Sequence, residues 1–526
     1  MPPTPSNDYD RVAYPTMAHS QTFAEALSIK GFLRGLNVAR PERCRVLELG
    51  CGDGFNLAAM AAIHPESSYT GIDYSADTIA RGRTFLAELG LKQIRLETAD
   101  IRALDQLGSS LGEFDYIVAH GVYSWVPADV REALLAAIGR MLAPEGVAFV
   151  SYLALPGAYQ REAVRSIIRF HTRGTPNPMD QVQQSRTVLN LIAKASLIPN
   201  HYTQWIATEL AMIETHAGEA LFHDELSSVS APVLFTDFLG HAIHHGLHFL
   251  SEAECLVPVS RALSDEAREQ LRPLENDRVL LEQYLDFLEG RRFRQTLLCR
   301  PGRGEKLDTA RLDQLWVTCR ALPSSQQTSL TDSAPLEFHG TKKSEMRAST
   351  PATKAALLEL TSRPGEAMPF PALLAATRTR LERAGITPEA DFDAALRLYF
   401  CRGYLPGMIE FAWGPLTSTP TVPAKPRAHS LAAWLLQRDA PSVLSYTGGF
   451  VEVKGALGRK LLSLLDGTRD HAALVAEMRS FLVAIHADAQ ARGTVANAPS
   501  PDDPALEEQL QRSLKGLAQL CLFRRE

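Results

Sequence analysis

VLELGCGDGFN, residues 46–56, decides the fold: an apolar run breaks into a turn with a glycine at every second position, and FNLAAMAAIHP follows with apolar spacing that suits a helix. Strand, glycine-rich loop and helix in that order form a nucleotide-binding unit. The dinucleotide fingerprint GxGxxG would need a glycine at position 55, where Phe55 stands, and no GK[ST] follows to make a phosphate-binding P-loop. What remains is Glu48-x-Gly50-x-Gly52-x-Gly54, an acidic strand end followed by glycines that let the backbone approach a ligand closely. Taken alone, the turn also allows a glycine loop with no ligand.

The stretches beyond it favour a ligand. SYTGIDYS (68–75) reads as a second strand whose Asp73 lies about twenty residues past the glycines, where a carboxylate accepts ribose hydroxyls. IRLETADIRAL (94–104), FDYIVAHGVYSWV (114–126) and GVAFVSYLALPG (146–157) supply strands three to five, with VREALLAAIGRML as an intervening helix. FTDFLGHAIHHGLHFLSEAEC reads as a helix and a sixth strand, and FRQTLLCR as a seventh. The fold class is therefore α/β, a doubly wound, seven-stranded, Rossmann-like sheet with its ligand at the strands' carboxyl ends.

The glycine turn closely resembles the first motif of class I S-adenosylmethionine-dependent methyltransferases. The resemblance implies S-adenosylmethionine as methyl donor and no metal. It places Glu48, Gly50, Cys51, Gly52 and Gly54 at the donor, with the carboxylate receiving an ammonium. Asp73 and Tyr74 fall at the ribose, and Asp100 with Ile101 match the acidic-apolar pair that meets adenine. His120 and Gly121 close the far side. Together with NDYDRVAYPTMAHSQTF, the segments LFHDELSSVSAPVLFTDFLGHAIHHGLHFLSEAE (221–254) and LLEQYLDFLEGRRFRQTLLCR (280–300) look like a bacterial group carrying a methyltransferase regulatory domain. That group includes protein lysine methyltransferases that modify outer-membrane proteins, which implies a protein lysine N-methyltransferase acting before export. A small-molecule methyltransferase with accessory docking domains is the alternative.

Methyl transfer needs alignment and water exclusion. The base-methylating signature [ND]PP[FYW] is absent after strand four, where His120-Gly121-Val122-Tyr123-Ser124-Trp125 stands instead. Tyr123 and Trp125 are acceptor-side candidates through cation–π contact with the sulfonium or a lysine side chain, and His120 by orienting a group or relaying a proton; core packing of Trp125 and a loop hydrogen bond from His120 are the competing readings. Residues 1–40 are expected to fold over the donor as a lid, with Tyr9, Tyr14, His19 and Gln21 as contacts. His241, His244, His245 and His248 are expected on one helix face, with no carboxylate nearby to complete a metal site.

The expected domains are the lid, a donor-binding core (41–157), a helical insertion and regulatory region with the last strands (158–302), a connector and first winged-helix-like α+β module (303–415), a Pro-rich linker (416–429) and a second module (430–526). Residues 430–526 carry eleven Lys/Arg and eleven Asp/Glu, a balance that offers no phosphate-neutralising face, so a protein substrate is expected and no nucleic acid. The seven cysteines form no CxxC pair, and no signal peptide or membrane span is legible, so cytoplasmic localisation and no membrane partner are expected. A homodimer is left open.

Overall fold

The computed structural model describes residues 11–15, 17–104, 111–215, 218–257, 263–304, 306–325, 329–340, 344–404, 408–492, 494 and 498–525. Two compact units divide the chain, residues 1–61 with 65–307, and residues 62–64 with 308–526.

In the first unit, seven strands pair in one sheet: β1 (Arg45–Leu49), β2 (Ser68–Asp73), β3 (Ile94–Thr98), β4 (Phe114–Ala119), β5 (Leu142–Leu153), β6 (His248–Glu252) and β7 (Phe293–Cys299). Their order is β3-β2-β1-β4-β5-β7-β6. The first five are parallel, whereas β7 runs antiparallel to both β5 and β6, so the sheet is mixed. The chain reverses direction of travel across the sheet between β1 and β4, and a crevice opens beyond the carboxyl ends of strands at such a point. Four residues of β1 are buried, as expected of a central strand covered on both faces.

Helices α1 (Ala24–Leu33), α2 (Phe55–Ile63), α3 (Ala76–Leu89) and α4 (Ala128–Met141) flank the sheet. The insertion consists of α5 (Ala158–His171), α6 (Pro178–Ala193), α7 (His201–Glu214) and α8 (Gly218–Leu226), joined by a separate apolar core around Leu189, Ile206 and Leu221. Then come α9 (Phe235–His244), α10 (Asp265–Leu271) and α11 (Arg278–Glu289).

Several expectations shift. Strand β3 stops at Thr98, and Asp100 caps a 3-10 turn by accepting from the Arg102 amide. Strand β4 stops at Ala119 because Gly121, at φ +66°, turns the chain into a second 3-10 segment, Tyr123–Trp125. Helix α9 ends before His248, which lies on β6: Gly246 takes the left-handed conformation and donates to Ile243 O. Residues 24–33, expected within the lid, form a buried helix with Leu27 and Leu33 fully enclosed. Tyr9 lies outside the described residues.

In the second unit, β8 (Trp316–Cys319) is flanked by β12 (Met368–Pro369) and β13 (Ile409–Ala412); β9 (Leu322–Pro323), β10 (Leu336–His339) and β11 (Glu345–Ala348) form another antiparallel sheet. Helices α12 (Pro351–Thr361), α13 (Phe370–Arg383) and α14 (Phe392–Arg402) complete three helices with a β wing. The C-terminal module holds α15 (Ser430–Gln437), the hairpin β14 (Ser442–Leu444) and β15 (Phe450–Glu452), then α16 (Gly455–Ser463), α17 (His471–Ala491) and α18 (Leu506–Gln519). The expected linker 416–429 is fastened rather than free, since Ser418 bridges Arg524 and Ala428 bridges Phe523.

One buried charge cluster joins the last strands to α11. The Arg294 guanidinium, fully buried on β7, meets Asp286 Oδ2 at 2.7 Å, Glu252 Oε1 at 2.7 Å and Glu282 Oε2 at 2.9 Å. Stripping one partner from such a cluster leaves uncompensated buried charge. Arg294→Ala is expected to destabilise the first unit by roughly 3–5 kcal/mol, measured by urea unfolding with hydrogen exchange of the β6 and β7 amides as the local readout.

Candidate donor site and acceptor loop

The three glycines of the turn all have positive φ, +75°, +56° and +77° at Gly50, Gly52 and Gly54. A Cβ on Gly50 would come within 2.5 Å of Val122 Cγ2 and one on Gly54 within 2.9 Å of Leu96 Cδ2, so these two are fixed by packing as well as by conformation. Gly52 differs: nothing lies within 4 Å of its Cβ position, which leaves open space directly over the loop. Asp73 holds that loop in place, its Oδ2 accepting from Gly52 N and its Oδ1 from Ser75 N, each at 2.9 Å. Cys51 is buried, and burial drives its thiol well above the usual range. Tyr74 stands exposed beside Asp73.

Glu48 is the strongest electrostatic feature. Its side chain is almost wholly buried; Oε1 accepts from Asn56 Nδ2 at 2.9 Å, whereas Oε2 has no partner. Burial, only partly offset by that hydrogen bond, pushes its carboxyl up to about 8. An unpaired buried carboxylate oxygen is costly, and a cationic N–H donor placed on it would remove the cost.

Asn56 also ties the N-terminal segment to the turn: its Oδ1 accepts from His19 N at 2.9 Å and its Nδ2 donates to Thr22 Oγ1 at 3.0 Å. Gln21 is half-buried in the 3-10 turn beside Thr22. Tyr14 lies against the insertion instead, with its ring 5.6 Å from that of His223 and its hydroxyl donating to Asp224 Oδ1 at 3.5 Å. On the β3 side, Ile101 packs on the sheet's apolar core, and Arg102 grips Asp100 at 2.7 Å, which holds that carboxyl below its ordinary value.

The loop after β4, the candidate acceptor loop, is locked by two serines. Gly121 N donates to Ser151 Oγ and Leu153 N to Ser124 Oγ, both at 2.8 Å. The His120 ring centroid stands 4.0 Å from that of His19, with Phe293 edge-on at 6.2 Å, and its Nδ1 is buried without a partner. Burial lowers His120 to about 3 and His19 to about 4, so both rings are neutral at physiological pH. Sequence reasoning placed Tyr123 and Trp125 where their faces could meet a cationic ligand, and the structure occupies both. Tyr123 is buried against Phe238 and Tyr152, and its hydroxyl pairs with His241 Nδ1 at 2.9 Å. Trp125 has the guanidinium carbons of Arg161 and Arg165 at 5.2 and 5.4 Å from its ring centroid. Asn56, Phe293 and these two arginines were missed; Asn56 alone carried a local signal, standing two residues past Gly54 in the first turn of α2.

A mixed sheet of this order with a glycine turn at the reversal between β1 and β4 defines a class I methyltransferase scaffold, and comparison with known proteins narrows the class. Residues 47–148 match the family described as "Methyltransferase domain", 217–300 the "Predicted methyltransferase regulatory domain", and 424–522 the "PKMT, C-terminal winged helix domain". Uncharacterized protein RP028 of Rickettsia prowazekii is 35% identical over 237 residues, covering 44% of this chain and 93% of that one. Trans-aconitate 2-methyltransferase of Deinococcus radiodurans is 33% identical over 116 residues, 22% of this chain and 40% of its own. The fold matches PKMT2 from Rickettsia typhi with a TM-score of 0.82 at 24% identity, covering 97% of this chain and 99% of that chain. The chain belongs to the S-adenosylmethionine-dependent methyltransferases that carry a methyltransferase regulatory domain.

S-adenosylmethionine fits the geometry on two observations: the bare oxygen of Glu48 and the open space over Gly52. An ammonium seated on Glu48 requires the ionised carboxyl, so donor binding below pH 8 should release a proton and tighten as pH rises towards about 8. Titration calorimetry at pH 6.5 in buffers of different ionisation enthalpy is expected to show that release. Glu48→Gln, which keeps the Asn56 hydrogen bond, is expected to abolish it.

Proposed function

We propose that this chain is a protein lysine N-methyltransferase acting in the cytoplasm on outer-membrane or surface proteins before their export. The observation that carries the reading is the joint occurrence, in one chain, of the methyltransferase core, the regulatory region and a PKMT-type winged helix, in a fold similar to PKMT2 along nearly its whole length. The trans-aconitate 2-methyltransferase of Deinococcus radiodurans aligns with only 22% of this chain, so its small-molecule acceptor finds no support in the rest of it. Among the described residues no helix is long and apolar enough to cross a membrane.

S-adenosylmethionine supplies an electrophilic methyl group on a sulfonium. In our reading Glu48 takes the donor's ammonium, Asp73 and Tyr74 its ribose, and Ile101 with Asp100 its adenine, while Gly50, Cys51, Gly52 and Gly54 provide the backbone cradle. Gly121 and Gln21 border the same space, and Tyr14 anchors the segment that leads to it. Lysine attacks as the neutral amine, its nitrogen lone pair forming the new bond to the methyl carbon as the carbon–sulfur bond breaks. His120 serves as a hydrogen-bond acceptor that aims this amine. Burial, with the His19 ring beside it, lowers the His120 imidazole to about 3, which makes it a weak base for a lysine ammonium whose free pKa is about 10.4 and favours the orienting role over the proton relay. Desolvation beside a sulfonium disfavours a charged amine, so the proton leaves to water before the site closes.

Incubation of the full chain with methyl-labelled S-adenosylmethionine and fractionated host lysate, followed by mass spectrometry, is expected to place label on lysines of envelope proteins. Label confined to small molecules would favour the alternative. His120→Asn is expected to lower kcat by about 10- to 100-fold with little change in donor affinity.

A further inference from the structure

Behind the acceptor loop, α4 crosses the end of α9 at close range. A Cβ on Gly139 would fall 2.2 Å from His245 O, so only glycine allows this approach, and Glu132, two turns earlier on α4, is carried to the same helix end. There Glu132, His241 and His245 converge, with one ligand atom from each lying within 4.8 Å of the others. His241 Nε2 stands 2.9 Å from Glu132 Oε2, and His245 Nε2 stands 3.0 Å from Oε1.

One detail favours an ion over a hydrogen-bonded network, and a second is compatible with either. First, His245 Nε2 is buried, and although it is close to the carboxylate its geometry is not that of a hydrogen bond, which leaves a buried nitrogen unsatisfied. Second, the other ring nitrogen of His241 is already held by the Tyr123 hydroxyl at 2.9 Å. A neutral imidazole that ligates through Nε2 carries its proton on Nδ1, and that N–H would donate to the Tyr123 oxygen, the outer-shell arrangement that orients histidine ligands. Four ligands about 2 Å from a central ion stand about 3.3 Å apart, within the 4.8 Å that encloses one ligand atom from each of the three residues; the two nitrogens now face different oxygens of the carboxylate, which would turn to present one of them.

We propose that Glu132, His241 and His245 form a site for a divalent transition-metal ion of the zinc class. Two imidazoles and one carboxylate suit such ions, whereas magnesium and calcium require oxygen donors throughout. The exposed side of Glu132 leaves a fourth position to solvent. Bound there, the ion staples α4 to α9 and fixes Tyr123 beneath the acceptor loop. The two histidines are spaced i, i+4, but the carboxylate arrives from 109 residues away, which is why the sequence reading found none.

The test uses the tag-free full chain, stripped with chelator and titrated with zinc chloride, with bound metal counted by mass spectrometry. One zinc per chain is expected. Tyr123→Phe, which deletes one oxygen from a buried ring, is expected to weaken zinc binding by about 10- to 100-fold, and Glu132→Gln on the exposed edge at least as much. The double variant His241→Ala/His245→Ala is expected to lose the site, and cobalt substituted in the wild type to show a four-coordinate visible spectrum that the double variant lacks. Equal zinc retention by wild type, Tyr123→Phe and Glu132→Gln would overturn the proposal even if the double variant fails to fold.

Discussion

The constraint on which the donor site depends is a carboxyl group that has been taken out of water and only half satisfied. Glu48 sits at the end of a central strand, where burial is inevitable, and its one hydrogen bond comes from the first turn of the following helix. That bond passes through Asn56, whose remaining valences tether His19 and Thr22. The same residue therefore links strand end, glycine turn and N-terminal segment. Asp73 closes the loop from the neighbouring strand, so the turn is rigid before any ligand arrives. Preorganisation of this kind lowers the cost of binding, because little further ordering remains to be done.

The regulatory region is not an appendage. Its last two strands complete the seven-stranded sheet, and Arg294 with three carboxyl groups bonds them to α11. Phe293, the residue before that arginine, reaches the His120 ring edge-on. A change in the packing of β7 would thus be felt at the acceptor loop through one residue. The insertion acts on the other side, where Arg161 and Arg165 cover Trp125 and Glu225 pairs with Arg161 at 2.7 Å. Arg165 pairs in turn with Glu162 at 3.2 Å, so both cations over Trp125 are held in ion pairs.

Local signals made most of the scaffold legible. Apolar runs gave the strands, the glycines gave the turn, and the acidic residues at strand ends gave Glu48, Asp73 and Asp100 by position. Where the reading slipped, a local signal had usually been outweighed by a longer pattern. Gly121 and Gly246 both mark chain reversals, yet the apolar residues after them extended the expected strand and helix too far. The aromatic faces of Tyr123 and Trp125 could not be judged from sequence, because their neighbours come from α9 and α5, which periodicity identifies without saying where they pack. The fastened segment 416–429 teaches the same point, since proline and threonine content reads as linker whatever Phe523 and Arg524 do with their hydrogen bonds.

The account rests on Glu48 recognising the positive end of the methyl donor. The most direct measurement compares the binding of S-adenosylhomocysteine with that of an analogue in which hydrogen replaces its α-amino group, in the wild type and in Glu48→Gln. The account predicts at least a tenfold loss of affinity for the analogue in the wild type and near-equal affinities in the variant. Equal binding of both compounds by the wild type would contradict it.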